Sequence, residues 1–259
     1  MKKLVKILSA ILALTFVFAF AACNKKEDKK QEKAQTVKTV KNGVLTMGTN
    51  ATFPPYEFHE GGQIVGIDAE IAKAVADKLG LKLEIKDMEF ATLITALEAN
   101  QIDIVAAGMT VTPVRQKSAL FSTPYARGVQ SIIVMENSPI TDKEGLKGKL
   151  IGVQESTTGD IKATDDYGEK NVKRFNKGSD AVSALKNGQV QAVIIDEEPA
   201  KNFVKANPGT KILKTAYAEE NYAIAIAKKN PKLQEEINKA LKELKDDGTL
   251  KKIVDKYIK

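Results

Sequence analysis

The chain has 259 residues, 43% of them hydrophobic, which is enough to bury a real core and to divide into two lobes. Its formal charge of +7 is dispersed and falls to +4 once Lys2, Lys3 and Lys6 are removed, which excludes a nucleic-acid-binding surface on composition. A single cysteine excludes an intrachain disulfide framework and a thiolate metal site, and the lone His59, in the polar turn HEGGQ, is not placed for a Ser-His-Asp triad on strand ends, so neither a metal nor a cofactor is expected.

Lys2, Lys3 and Lys6 precede an uncharged apolar run over residues 7–22, short of the roughly 20 residues that cross a bilayer comfortably. Residues 1–22 therefore read as a signal peptide. Cys23 follows Ala21 and Ala22 at the edge of that run and resembles the cysteine of a bacterial lipobox, although Phe20 stands where Leu is usual. The resemblance implies cleavage before Cys23 and a lipid anchor on it, holding the protein to the outer face of a membrane. Residues 23–42 then form the lipidated cysteine and a charged tether, since NKKEDKKQEKAQTVKTVK has almost nothing apolar to pack.

From Gly43 onward, β-rich runs alternate with stretches of helical period, the pattern of a parallel α/β architecture. Strands are expected at 44–49, 81–86 and 102–106, with helices at 67–79 and 91–99 between them. Gly80 supplies the first helix's stop signal. The same grammar restarts after Gly145, with strands at 150–153, 172–175 and 192–195 and helices near 159–166 and 180–187. Residues 96–108 (ALEANQIDIVAAG) and 184–196 (ALKNGQVQAVIID) echo each other without a gap. Two similar units imply two lobes. Extended apolar runs at 130–135 and 222–227 suit crossings between them, and amphipathic helices are expected at 232–245 and 250–257. The chain thus leaves the first lobe (43–129 with 221–259), builds the second (130–220) and returns, giving a two-strand hinge.

In open parallel sheets ligands bind beyond the carboxyl ends of the strands. That selects the loops 50–56, 107–115, 154–159 and 196–199. Arg115 offers a planar fork to a carboxylate, with Thr110 and the backbone near Gly108 beside it; the alternative is a capped surface turn. Asp196 ends an apolar strand where a lone charge is costly, so it needs a cationic partner such as a ligand ammonium, or it caps the helix that follows. One cation facing one anion suits a free α-amino acid. Phe53 and Phe90 are read as aromatic walls and Phe58 as packing. Ser156, Thr157 and Thr158 precede a helix and suit either an anion or ordinary capping. His59 lies in a polar turn and reads as surface.

GTNATFPPYEF, VGIDAEIAKAVADKLG, MEFATLITALEANQIDIVAAGMTVTPVRQKSALFSTPY, GVQESTTGD and VIIDEEPA together resemble the polar amino-acid branch of the bacterial extracellular solute-binding proteins, family 3. The resemblance implies a two-lobed periplasmic-binding-protein-like fold of type II, two βα lobes joined by two crossover strands, working as a monomer with an ABC permease and its ATPase. By the same resemblance Arg115, Thr110 and Thr158 hold the ligand carboxylate, Asp196 and the Gly108 carbonyl hold the ammonium, and Phe53 and Phe90 wall the cleft. Asn50, Ala107, Gln154 and Glu155 fall where the side chain is selected. Asn50 replaces the Asp of many relatives, so a neutral pair with Gln154 favours a glutamine-like ligand. A basic amino acid, which needs a carboxylate the sequence does not locate, or cystine comes next. An enzyme using Glu155 as an acid, as in cyclohexadienyl dehydratases of the same fold, lacks supporting catalytic groups, and a receptor's ligand-sensing domain would continue into a membrane span.

Overall fold

The computed structural model describes residues 37–258. The expected signal peptide, Cys23 and the tether through residue 36 lie outside them. The last stretch of that tether differs from expectation, because it is tied down. The Val40 amide donates to Asp103 Oδ1 at 2.7 Å, and Asn230 Nδ2 donates to the Lys38 carbonyl at 2.8 Å. Asp103 is buried, and a buried carboxylate needs donors; the amides of Val40 and Thr46 supply them. The folded unit accordingly begins at Lys38.

In chain order, β1 (Val44–Thr49) leads into three short strands, β2 (Thr52–Phe53), β3 (Glu57–Glu60) and β4 (Gln63–Val65). Next come α1 (Ile67–Lys78), β5 (Lys82–Asp87), α2 (Leu93–Glu98), β6 (Ile104–Val105), α3 (Pro113–Ser118) and β7 (Ala119–Phe121). β8 (Ala126–Met135) opens the second half, followed by β9 (Ile151–Gln154), α4 (Thr158–Tyr167), β10 (Val172–Phe175), α5 (Gly178–Lys186), β11 (Ala192–Asp196), α6 (Glu197–Ala206) and β12 (Thr210–Ile212). The chain closes with β13 (Ala218–Tyr222), β14 (Ala225–Ala227), α7 (Pro231–Asp246) and α8 (Thr249–Tyr257).

One sheet has the order β5-β1-β6-β14-β7 and a second the order β10-β9-β11-β8-β12, with β13 also paired to β8. Within the first, β1 runs parallel to β5 and β6, and β14 runs antiparallel between β6 and β7. β2, β3 and β4 form a separate antiparallel sheet over the turn that the sequence suggested was only a loop. Phe58 in β3 packs edge-on against Tyr257, as expected of a packing residue.

The apolar run at 130–135, expected to cross between lobes, does not do so. It is the interior of β8, paired antiparallel with β11 on one side and with β12 and β13 on the other. Ile132 and Val134 enter one hydrophobic cluster while Ile133 enters the other, so the strand is apolar at successive positions because both of its faces are covered. The passage between sheets lies earlier, at residues 122–125, and the return passage lies between β13 and β14. The two passages are stitched together. Tyr125 N–H donates to the Tyr222 carbonyl at 3.0 Å, Ser122 N–H donates to the Ile224 carbonyl at 2.9 Å, and Ile224 N–H donates back to Ser122 Oγ at 3.0 Å.

Candidate functional site

The carboxyl ends of β1, β6 and β9 converge on one cavity. Asn50, Ala107, Gly108 and Gln154 enter it from those ends, and Phe53, Phe90, Thr110 and Arg115 complete most of its wall. Of the residues singled out in the sequence, eight thus meet in one place. Glu155 does not; it is exposed, its side chain outside the cavity lining. Thr158 lines the adjoining open groove with Lys162 and Glu219, while Thr157 takes the place in the cavity.

Arg115 is delivered by α3, whose start is fixed by Pro113 at its first turn and by Thr112, whose hydroxyl accepts the Arg115 amide. The side chain folds inward and is 8% exposed. Nη1 donates to the Thr110 carbonyl at 2.8 Å and Nη2 to the Ser156 carbonyl at 2.9 Å, with the guanidinium 5.3 Å from the centre of the Phe90 ring. Neither hydrogen-bond partner carries charge, and burial pulls the guanidinium pKa down to about 10. Such a cation is open to an anionic ligand. The Ser156 carbonyl reaches it from the second half of the chain because Ser156 adopts φ 63, its amide held by Asp160 Oδ2 at 2.9 Å.

Gly108 has φ +51, and a Cβ there would lie 2.9 Å from Phe53 Cε1, so both the backbone and the space exclude a side chain. Its amide donates to Asp68 Oδ2 at 2.7 Å, which also accepts the Tyr125 hydroxyl at 2.7 Å. Asp68 lies beside Glu57, itself part of the cavity wall. Burial and the neighbouring Asp68 charge hold the Glu57 carboxyl well above the usual range, whereas burial lifts Asp68 only to about 6 against the bonds from Gly108 and Tyr125.

Asp196, at the end of β11, is 1% exposed and does cap α6, its Oδ1 accepting the Glu198 amide at 3.2 Å. Oδ2 accepts the Tyr222 hydroxyl at 2.6 Å and the Val129 amide at 3.0 Å. Burial pushes its carboxyl up to about 7. Tyr222, not Asp196, faces the cavity directly, and it reaches Asp196 only because residue 128 is glycine: a Cβ there would sit 2.4 Å from Tyr222 Cζ. Asn50 and Gln154 meet across the cleft, Gln154 Nε2 donating to Asn50 Oδ1 at 3.0 Å and to the Asn176 carbonyl at 3.1 Å. Asn50 Oδ1 also accepts the Thr52 hydroxyl, and its Nδ2 donates to the Met88 carbonyl, so Asn50 is engaged on both ends.

Sequence reasoning missed Glu57, Gln130, Glu220 and Tyr222 in the wall. Glu220 and Tyr222 share one face of β13 by their spacing of two, a signal visible beside the apolar run that follows. Gln130 is a buried amide in the interior of β8, where it calls for a partner. Among the described residues there is no group of His, Cys, Asp and Glu suited to a metal ion, and no helix is long and apolar enough to cross a membrane.

Comparison with known proteins agrees with this geometry. The chain is 36% identical over 257 residues to the arginine-binding extracellular protein ArtP of Bacillus subtilis (strain 168), covering 97% of each chain. Its fold matches an ancestral arginine-binding protein solved with glutamine (TM-score 0.80, 44% identity, 84% of this chain and 99% of that one) and with arginine (TM-score 0.78, 46% identity, the same coverage). The two-lobed type II fold is therefore shown, and the family model matches residues 45–259. With that match over most of its length, the chain belongs to the bacterial extracellular solute-binding proteins, family 3.

Proposed function

We propose that this protein captures a polar amino acid outside the cytoplasmic membrane and delivers it to an ABC importer by closing and opening its two lobes about the paired passages. The observation that carries the reading is Arg115: a buried guanidinium whose hydrogen-bond partners are two neutral carbonyls, aimed into a cavity at the strand ends. The ligand carboxylate takes the outer edge of that fork, with Thr110 and the start of α4, including Thr158, beside it. The ammonium sits toward the Gly108 carbonyl and the Asp196 side of the cleft, and Phe53 and Phe90 exclude water around the chain of the ligand.

The rest of the wall includes the side-chain amides of Gln154 and Gln130. Amides both donate and accept, so a ligand side chain that does the same fits, which keeps glutamine in front. Arginine is a second reading, supported by the relatives above and by the engagement of Asn50 with Gln154, which leaves less of the amide pair for a glutamine side chain. A lipid anchor on Cys23, two lobes divided at the passages before β8 and after β13 rather than at residues 130 and 221, and a monomeric state complete the proposal. The test is calorimetric titration of unfolded and refolded protein, free of carried-over ligand, with the twenty amino acids, ornithine and cystine. Tight binding of glutamine or arginine supports the reading and names the ligand; silence across the panel overturns it.

A further inference from the structure

We infer that Glu220 is a direct acceptor for the ammonium group of the ligand, a second carboxylate beside Asp196, and this inference rests on the amino-acid reading above. Glu220 is 6% exposed and lines the cavity. Its Oε2 is held twice, by the Thr110 hydroxyl at 2.6 Å and by Gln130 Nε2 at 3.3 Å. Its Oε1 is fully buried and has no hydrogen-bond partner. A carboxylate oxygen taken out of water without a donor is expensive to keep, and such an atom in a binding cavity marks a place where a donor arrives.

Position identifies that donor. Thr110 bonds both charged groups at once, its carbonyl accepting Arg115 Nη1 and its hydroxyl donating to Glu220. Arg115 and Glu220 are thus brought to one residue without pairing to each other. An α-amino acid carries its carboxylate and ammonium on a single carbon, and Thr110 holds a partner for each side by side in the cavity wall. A cation at the far end of a side chain would lie away from Thr110, toward Asn50 and Gln154. Asp196, by contrast, has Oδ2 occupied by Tyr222 and Val129 and Oδ1 by the Glu198 amide, so it acts on the same charge from behind Tyr222.

Glu220→Gln separates this role from a structural one, since the amide keeps an oxygen for Thr110 and removes the charge. Binding of L-arginine, L-glutamine and their desamino analogues, 5-guanidinopentanoic acid and glutaramic acid, is measured by calorimetry on wild type and variant. Melting of the ligand-free proteins is followed alongside. The variant should bind the better of the two L-amino acids about 30-fold or more weakly. The matching desamino acid should bind both proteins alike, and the ligand-free variant should melt no lower than wild type because an unsatisfied buried charge is gone. Equal losses for amino acid and desamino acid, no loss for either, or a variant that melts lower or fails to fold would each overturn the assignment in favour of a structural carboxylate. Wild type that binds neither L-amino acid would instead remove the amino-acid reading itself.

Discussion

Replacing Arg115 with methionine isolates the group on which binding rests, because methionine keeps most of the buried volume and removes the charge. In the ligand-free protein the guanidinium is held by two charge-assisted bonds to carbonyls and by the Phe90 ring. Against this stands its desolvation. A pKa drawn from 12.5 to about 10 corresponds to about 3 kcal/mol against the charged form. The bonds lost are worth about 1.5–3 kcal/mol each, so the variant should lose only about 0–3 kcal/mol of ligand-free stability, or at most about 12 °C in Tm. The bound state loses more, because a ligand carboxylate is then buried without its counter-charge, at a cost of about 3–5 kcal/mol. Kd should therefore rise by about two to four orders of magnitude, read by calorimetry at pH 7 with the best amino acid of the panel. A change in Kd of less than tenfold would refute the placement of the carboxylate, and a collapse of the fold would make Arg115 a structural group.

Gly128→Ala should push the Tyr222 ring off Asp196, since the new Cβ would lie 2.5 Å from the Tyr222 hydroxyl, lowering Tm through an overpacking cost of about 1–3 kcal/mol and weakening binding with it; an unchanged melt would contradict the contact. Gln154→Leu removes the bond to Asn50 across the cleft and should weaken binding by about tenfold while leaving the melt of the ligand-free protein nearly in place, which titration and scanning calorimetry together can check. Asp68 and Asp196 have folded pKa values raised to about 6 and about 7 from 3.8, so the folded state holds more protons than the unfolded one between about pH 4 and 7. Their contribution to ligand-free stability is full below pH 4 and is lost as pH rises through those values, so Tm should carry a downward slope from pH 5 to 7.5 that flattens in Asp196→Asn; a slope unaffected by that substitution would count against the assignment. By the same linkage, an ammonium arriving near Asp196 at pH 6 should expel a proton, seen as a binding enthalpy that changes with the ionisation heat of the buffer.

Where the pattern is local, sequence and structure coincide. The strand over 44–49 and the helix from Ile67 stand where hydrophobic period and the Gly80 stop put them, because each is decided by side chains a few residues apart. The strand expected at 150–153 moved one residue, to Ile151–Gln154, which carries Gln154 onto the strand end. What local pattern did not reveal depends on distant partners. β2, β3 and β4 are too short and too polar to announce themselves, and pair only with one another. The run at 130–135 looked like a passage because nothing in its own letters says that β11, β12 and β13 will lie beside it. The cavity shows the same division: Arg115 was legible from its place after a strand, whereas Glu220 became a candidate only once Thr110, 110 residues away in sequence, was found holding it.

The position of β14 has a consequence for how the chain acquires its shape as it is made. The strand that joins β6 to β7 in the first sheet comes from residues 225–227, beyond the whole second half, and until it arrives nothing lies between those two strands. A nascent chain therefore holds an open, hydrogen-bond-hungry gap through most of its synthesis and closes it only near the end. The first half cannot complete its sheet ahead of the second.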